Sequence, residues 1–346
     1  MTAGGPQGAA GVLRTEKARI LSGMRPTGRL HLGHLIGTLR TWRQLQDERE
    51  CFFFVADWHA LTTDYDRAEA VGPNVFEMVT DWLAAGIDPS RATLFVQSAI
   101  LEHAELHLLL SMITPVGWLE RVPTYKETQQ QLTDRDLATY GFLGYPVLQA
   151  ADILMYLASG VPVGADQVPH VELTREIARR FNHLFGETFP EPQAVLAPTP
   201  RVPGVDGRKM SKSLNNAVFL ADAAEDVKAK LSRMMTDPRR ARRRDPGDPD
   251  DCPAYTLHRQ YCTPEELAYT AQGCRTAGIG CLECKLIMIG RLETELGPIR
   301  ERREALASRP DEVRDVLRDG TRRARTIAIE TMTEVRRRVG VGGPWA

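Results

Sequence analysis

Apolar positions in this chain follow two alternating periods. A short run around Ile20 and Leu21 leads into a turn punctuated by Gly23, Pro26, Gly28 and Gly33. Beyond it, Leu32, Leu35, Ile36, Leu39, Trp42 and Leu45 recur at helical spacing. Cys51 to Val55 is continuously apolar and rich in phenylalanine, the mark of a strand buried on both faces. The pattern goes on with a helix over 73–85 ended by Gly86, a strand over 92–97 and a helix over 104–113. A polar connection, 116–137, interrupts it. A helix begun by Pro146, apolar nearly all round, runs to Tyr156. A short strand at 161–164 and a helix over 169–181 follow. From 216 onward the pattern is helical, broken by the charged, proline-rich stretch 237–252, and it ends in an amphipathic basic helix or pair over 311–339.

Strands alternating with helices predict an α/β fold, a Rossmann-like doubly wound parallel sheet, followed by an α-helical C-terminal domain. The expected partition is a disordered tail at 1–16, a catalytic domain at 17–215 and a helical domain at 216–346. With 346 residues the chain can bury a large core. Its 44 basic and 45 acidic residues nearly cancel, so contact with nucleic acid must rest on local patches. No apolar run is long enough to cross a membrane, and the Gly/Ala-rich start lacks the plan of a signal peptide. The expected location is the cytoplasm, where the six cysteines stay reduced, buried or metal-bound.

Ligands of such sheets sit at the carboxyl ends of the strands, which is where residues 22–34, 57–59 and 97–98 should meet. Strand, glycine-rich turn and helix N-terminus receive phosphate well, because free N–H groups and the helix dipole favour an anion there. The turn matches neither G-x-G-x-x-G nor a Walker loop. It carries His31 and His34, three residues apart and so on one helix face. A second candidate lies in the loop 198–216, where Lys209, Met210, Ser211, Lys212 and Ser213 follow each other.

The sequence His31-Leu32-Gly33-His34 followed by Lys209-Met210-Ser211-Lys212-Ser213 resembles the HIGH and KMSKS signatures of class I aminoacyl-tRNA synthetases. The resemblance implies attack of an amino-acid carboxylate on the α-phosphorus of ATP. His31, His34, Lys209 and Lys212 are the candidate catalytic residues. Gly23, Met24, Thr27, Gly33, Met210 and Ser211 are candidate ATP contacts, with Gly33 leaving room for the adenine. Lys126 is similar to a family lysine that approaches ATP on closure. Mg²⁺ is implied with the nucleotide.

The runs 56–62, 116–121, 145–154 and 161–167 resemble the tryptophanyl-tRNA synthetase family, and the likeness covers most of 17–340. It implies that Asp152 accepts the indole N–H of tryptophan, and that Tyr145, Gln149 and Gln167 line the pocket or hold the α-ammonium. Some members carry methionine where Gln149 stands. The plain alternative for Asp152 is a buried helix residue paired with an arginine or the backbone. Alternative functions are tyrosyl-tRNA synthetase, which shares fold and signatures, and a non-catalytic protein that kept the fold. The resemblance also implies tRNA(Trp) as second substrate, acylated on the 2′-hydroxyl, and a homodimer.

Cys252, Cys274, Cys281 and Cys284 are spaced C-x21-C-x6-C-x2-C. Such a set reads as a metal or iron–sulfur site, leaving a cluster, zinc, and empty or disulfide-bonded thiols open. A subset of the family resembles this pattern and holds a four-iron four-sulfur cluster beside the anticodon-binding region. Cys51 and Cys262 read as ordinary cysteines. Arginine runs at 239–244, 322–325 and 336–338 are candidate phosphate contacts.

Overall fold

A computed structural model describes residues 18–123, 136–196 and 201–343. The tail expected at 1–16 lies outside the described residues. Five strands form one parallel sheet: β1 (Arg19–Met24), β2 (Glu50–Val55), β3 (Ala92–Val96), β4 (Gly160–Val163) and β5 (Gln193–Leu196). Their order is β3-β2-β1-β4-β5. The chain leaves β1 for β2 on one side and later adds β4 on the other, which opens a crevice at the carboxyl end of β1. β1 and β2 run in register from Arg19 opposite Glu50 to Met24 opposite Val55.

Side chains of the central strands alternate between two cores. Ile20, Phe53 and Leu94 face one layer with Trp42, Trp82 and Met78. Leu21, Phe52, Phe54 and Phe95 face the other with Leu106, Ala151 and Phe181. The helix after the first turn comprises Leu32–His34, a wider π-turn at Leu35–Leu39, and Arg40–Glu48; it is α1. Then come α2 (Asp57–Asp64), α3 (Val71–Ala84) and α4 (Glu102–Ser111).

α5 spans Tyr140–Met155, so Pro146 does not start the helix as expected but lies within it. Thr139 supplies the start: its hydroxyl accepts from the Phe142 N–H at 3.2 Å. Leu143, Val147 and Ile153 pack in the second core and hold the helix together across the proline. α6 (Val168–Phe185) ends at Gly186.

The C-terminal helices are α7 (Ala224–Ser232), α8 (Pro253–Tyr261), α9 (Pro264–Arg275), α10 (Cys281–Ala307) and α11 (Pro310–Val339). The basic stretch at the end is therefore one helix. α10 lies against α1 and α3, where Arg40 pairs with Glu295 at 2.5 Å and Arg303 with Asp81 at 2.7 Å. α11 returns along β3. A Cβ on Gly320 would come within 1.8 Å of the Leu94 carbonyl oxygen, so only glycine lets helix and strand approach this closely.

Candidate functional site

The first turn leaves β1 and enters α1 through His31, the N-cap. The His31 Nδ1 accepts from the Gly33 N–H at 3.1 Å, and the His34 Nδ1 accepts from the His31 N–H at 3.2 Å. The two histidines thus cap the helix reciprocally. Each ring then carries its proton on Nε2, the atom left to face a ligand. Burial, with Lys212 second, lowers His31 to about 4. Burial, then His31 and Lys212, holds His34 well below the usual histidine range. Both are neutral donors at pH 7. Gly33 is required by the protein itself, since a Cβ there would lie 2.8 Å from the His31 ring.

The lysine–serine loop is tied to this turn. Leu32 N–H donates to the Val218 carbonyl and Leu220 N–H to the Leu30 carbonyl, both at 3.0 Å. The Lys212 Nζ donates to the Gly28 carbonyl at 2.9 Å and lies 3.4 Å from the Thr27 hydroxyl. Burial, and Arg25 against the opposing Asp81, lowers Lys212 to about 8. The structure so brings His31, His34, Thr27 and Lys212 together. Lys209 is exposed and lines a separate cleft with Arg201, Asp251 and Cys252. The Met210 side chain is 4% exposed in the first core, so only its backbone is free to meet a nucleotide. Ser211 shares a 2.9 Å hydrogen bond with Ser213. Gly23 and Met24 end β1 beside Phe54 and Val55 of β2.

Asn216 and Asp81 organise the site and escaped the sequence reading. Buried Asn216 accepts from the Ser211 N–H at 2.8 Å and donates to Asp206 at 2.7 Å and to the Lys209 carbonyl at 3.2 Å. Asp81, fully buried, accepts from the Leu30 N–H at 3.2 Å while paired with Arg303.

Across the crevice, Tyr145, Gln149 and Asp152 share one face of α5 by their spacing. Tyr145 hydroxyl and His170 Nε2 are 2.7 Å apart. Gln149 is half-buried, and Gln167 lies half-buried just after β4. Asp152 is 1% exposed. Its carboxylate meets Gln97 Nε2 at 2.8 and 2.9 Å, His103 Nδ1 at 2.7 Å and His59 Nε2 at 2.8 Å. No arginine is among these partners. Burial raises its carboxyl, but the hydrogen bonds from His103 and His59 prevail and the net direction is down. An ionised acceptor with a known address therefore sits at the end of an otherwise apolar helix.

The profile of the family described as tRNA synthetases class I (W and Y) matches residues 13–293. The chain belongs to this family. It is 54% identical over 321 residues to a tryptophan--tRNA ligase of Thermotoga maritima, covering 92% of this chain and 98% of that protein. It is 46% identical to the Aquifex aeolicus tryptophan--tRNA ligase, with the same coverages. Its fold matches a tryptophanyl-tRNA synthetase from Campylobacter jejuni, complexed with ADP and tryptophan, at a TM-score of 0.83. That chain is 31% identical, with coverage of 93% of this chain and all of the other.

In this class I synthetase the four spaced cysteines converge. Burial, then Cys252, Cys274, Cys281 and Cys262, pushes the Cys284 thiol up to about 12. Arg240 Nη1 is 3.9 Å from the Cys274 sulfur, and His258 Nε2 is 3.4 Å from that of Cys284. Cys262, read as ordinary, lies 3.4 Å from His258 Nδ1. All six cysteines are free thiols. Among the described residues no three or more His, Cys, Asp or Glu surround a single-ion position.

Most arginines of the synthetase's basic runs are already paired. Arg322 meets Asp319, Arg325 meets Glu102, Arg336 meets Glu105, and Arg337 and Arg338 meet Glu334. Arg239 pairs with Asp237 and Asp251, and Arg240 is buried. Arg242 and Arg244 are exposed, with no ion pair among the described residues. Lys126 lies outside the described residues. No described helix is long and apolar enough to cross a membrane.

Proposed function

We infer that this chain activates L-tryptophan with ATP and transfers the tryptophanyl group to tRNA(Trp). The observation that carries the reading is that Lys212 joins the His31–His34 turn after β1, while the buried carboxylate of Asp152 is held by His59 and Gln97, which follow β2 and β3, so that both groups belong to the carboxyl end of the one sheet. The tryptophan carboxylate is ionised at neutral pH, so its attack on the α-phosphorus needs no general base. A carboxylate oxygen bonds to that phosphorus, the bond to the bridging oxygen breaks, and pyrophosphate leaves. Negative charge gathers on the phosphates, and preformed donors there supply most of the stabilisation. His31 and His34 offer neutral N–H groups, and Lys212 offers a cation. Thr27, Gly23, Met24 and the loop backbone at Met210 and Ser211 complete the nucleotide site in this reading, which Lys209 joins only when its loop swings from the separate cleft it lines here. Mg²⁺ arrives with the phosphates. Asp152 accepts the indole N–H, and Tyr145, Gln149 and Gln167 line the amino-acid pocket. The 2′-hydroxyl of the terminal adenosine then attacks the adenylate carbonyl and AMP departs.

Measured ATP–pyrophosphate exchange is expected with tryptophan and not with tyrosine. Exchange with tyrosine alone overturns the substrate, and exchange with neither favours a binding protein on the same fold.

We also propose that residues 216–346 carry the tRNA anticodon-binding region and that the enzyme works in the cytoplasm. Arg242 and Arg244, on the loop between α7 and α8, are its available phosphate contacts. A homodimer is supported by exposed Leu101, Leu108, Met112, Val116 and Tyr140, on and around α4 and the start of α5. Cys252, Cys274, Cys281 and Cys284 suit a four-iron four-sulfur cluster by donor chemistry: four converging thiols beside Arg240 and Lys285. A cluster distributes its thiolates over four irons, so it needs no single-ion arrangement. Bound there, it would supply a rigid tie between α8, α9 and α10. Protein purified anaerobically should be brown and contain iron; colourless, iron-free protein rejects the cluster.

A further inference from the structure

The Asp152 carboxylate has two unlike sides. Its Oδ1 faces inward, toward His103, while Gln97 Nε2 meets both oxygens, at 2.8 and 2.9 Å; His103 and Gln97 are both fully buried. Its Oδ2 faces outward, toward His59, whose side chain is 11% exposed. The inward side is anchored in the sheet. The Gln97 Oε1 accepts from the Trp58 N–H at 3.2 Å, which turns the Nε2 group toward the carboxylate. On the other flank, His103 Nε2 and the Tyr156 hydroxyl are 2.7 Å apart. Tyr156 is fully buried and stacks on Phe52 with centroids 5.0 Å apart; Phe95 lies at 5.2 Å.

A carboxylate only accepts, so His103 presents Nδ1–H to it. The other ring nitrogen, Nε2, shares its hydrogen bond with the Tyr156 hydroxyl. A three-group hydrogen-bonded chain of Tyr156, His103 and Asp152 therefore runs from the core of the sheet to the amino-acid pocket. Nothing in the chemistry of adenylate formation calls for it.

We propose that His103, seated on Tyr156, is a positioning residue for tryptophan selection, holding the Asp152 carboxylate so that its outer oxygen meets the indole N–H. The inference rests on Asp152 being the indole acceptor. Its energetic argument is one of orientation. A carboxylate free to rotate in its slot has several ways to miss a single N–H, whereas one held by His103 on Oδ1 and by Gln97 across both oxygens has its outward side set before the substrate arrives. Neither His103 nor Tyr156 touches substrate in this arrangement; both act through Asp152.

The test compares tryptophan with β-(3-benzothienyl)alanine, which keeps the bicyclic shape and has sulfur in place of N–H. Exchange kinetics are measured for the wild-type enzyme, His103→Phe, His103→Asn and Tyr156→Phe, with the KM for ATP as a check on the nucleotide site. The wild type should prefer tryptophan. His103→Phe should lose at least ~10-fold in kcat/KM for tryptophan, mostly through KM, with the analogue nearly unaffected. Tyr156→Phe should lose less. His103→Asn, whose amide N–H replaces Nδ1–H, should retain more of the preference than His103→Phe. The KM for ATP should stay at its wild-type value throughout. Preference retained in both His103→Phe and Tyr156→Phe overturns the proposal. So does an equal loss for both amino acids, which marks a purely structural role. A wild-type enzyme without any preference instead removes the indole–Asp152 reading beneath it. Should His103→Phe fail to fold, Tyr156→Phe and His103→Asn still decide the matter.

Discussion

Replacing Lys212 with alanine is expected to lower the rate of tryptophan activation at least ~10²-fold, with tryptophan affinity nearly unchanged. The ammonium sits 2.9 Å from the Gly28 carbonyl, inside the turn that His31 and His34 cap, and far along the chain from Asp152. Deleting a donor that acts on charge developing in the transition state typically costs about 2.7–4 kcal/mol. The histidines cannot compensate, because burial keeps both neutral. The same lysine sets a pH limit. Burial lowers it to about 8, so the free enzyme loses this cation as pH rises through that value. The kcat/KM for ATP should fall on the alkaline side with an apparent pKa near 8, because that ratio reports the free enzyme. Lys212→Arg should move this limb upward, since arginine stays charged. Stopped-flow or exchange measurements across pH test both points; an equal loss of tryptophan affinity in Lys212→Ala contradicts the role.

Asp152→Ala should abolish tryptophan selection. The change removes the acceptor and strands three donors, on Gln97, His103 and His59. A site built to satisfy a buried polar group rejects substrates that lack the matching group by about 10⁴–10⁵-fold, and that power depends on the group being there. Discrimination between tryptophan and phenylalanine in exchange assays should collapse. Stability should fall as well, by about 1–3 kcal/mol for each buried donor left unsatisfied. Thermal unfolding of the variant separates the two effects. Retained discrimination in folded Asp152→Ala rules the residue out as the determinant.

Much of this was written in local patterns. The buried strands announced themselves as apolar runs, and the family resemblance named Tyr145, Gln149 and Asp152, which the structure places on one helix face. Pairs close in sequence, such as Asp319 with Arg322, lie in the same local pattern, but their arginines read as free cations for phosphate; the pairing explains why a basic helix end offers few of them. What escaped depends on partners distant in the chain. Asp81 reads as a polar residue in an amphipathic helix until Leu30 and Arg303 close on it. Asn216 reads as a loop residue, although it holds the lysine–serine loop in shape. His103 lies in a helix whose sequence gives no hint that a carboxylate on α5 waits opposite. Pro146 misled for a different reason: proline favours a helix start, but the Thr139 cap and core packing around it decided the boundary.

The approach of α11 to β3 also bears on the edge of the sheet. β3 closes one side of the sheet, and its backbone there meets Gly320, while Arg323 donates to the Pro89 carbonyl at 2.9 Å and reaches that of Ala92 at 3.4 Å. Gly320 and Arg323 both belong to α11. A sheet on which α11 has not docked leaves β3 as an open edge of the kind that pairs with other chains. Docking of α11 thus also guards the sheet against aggregation, beyond any part it plays in stability.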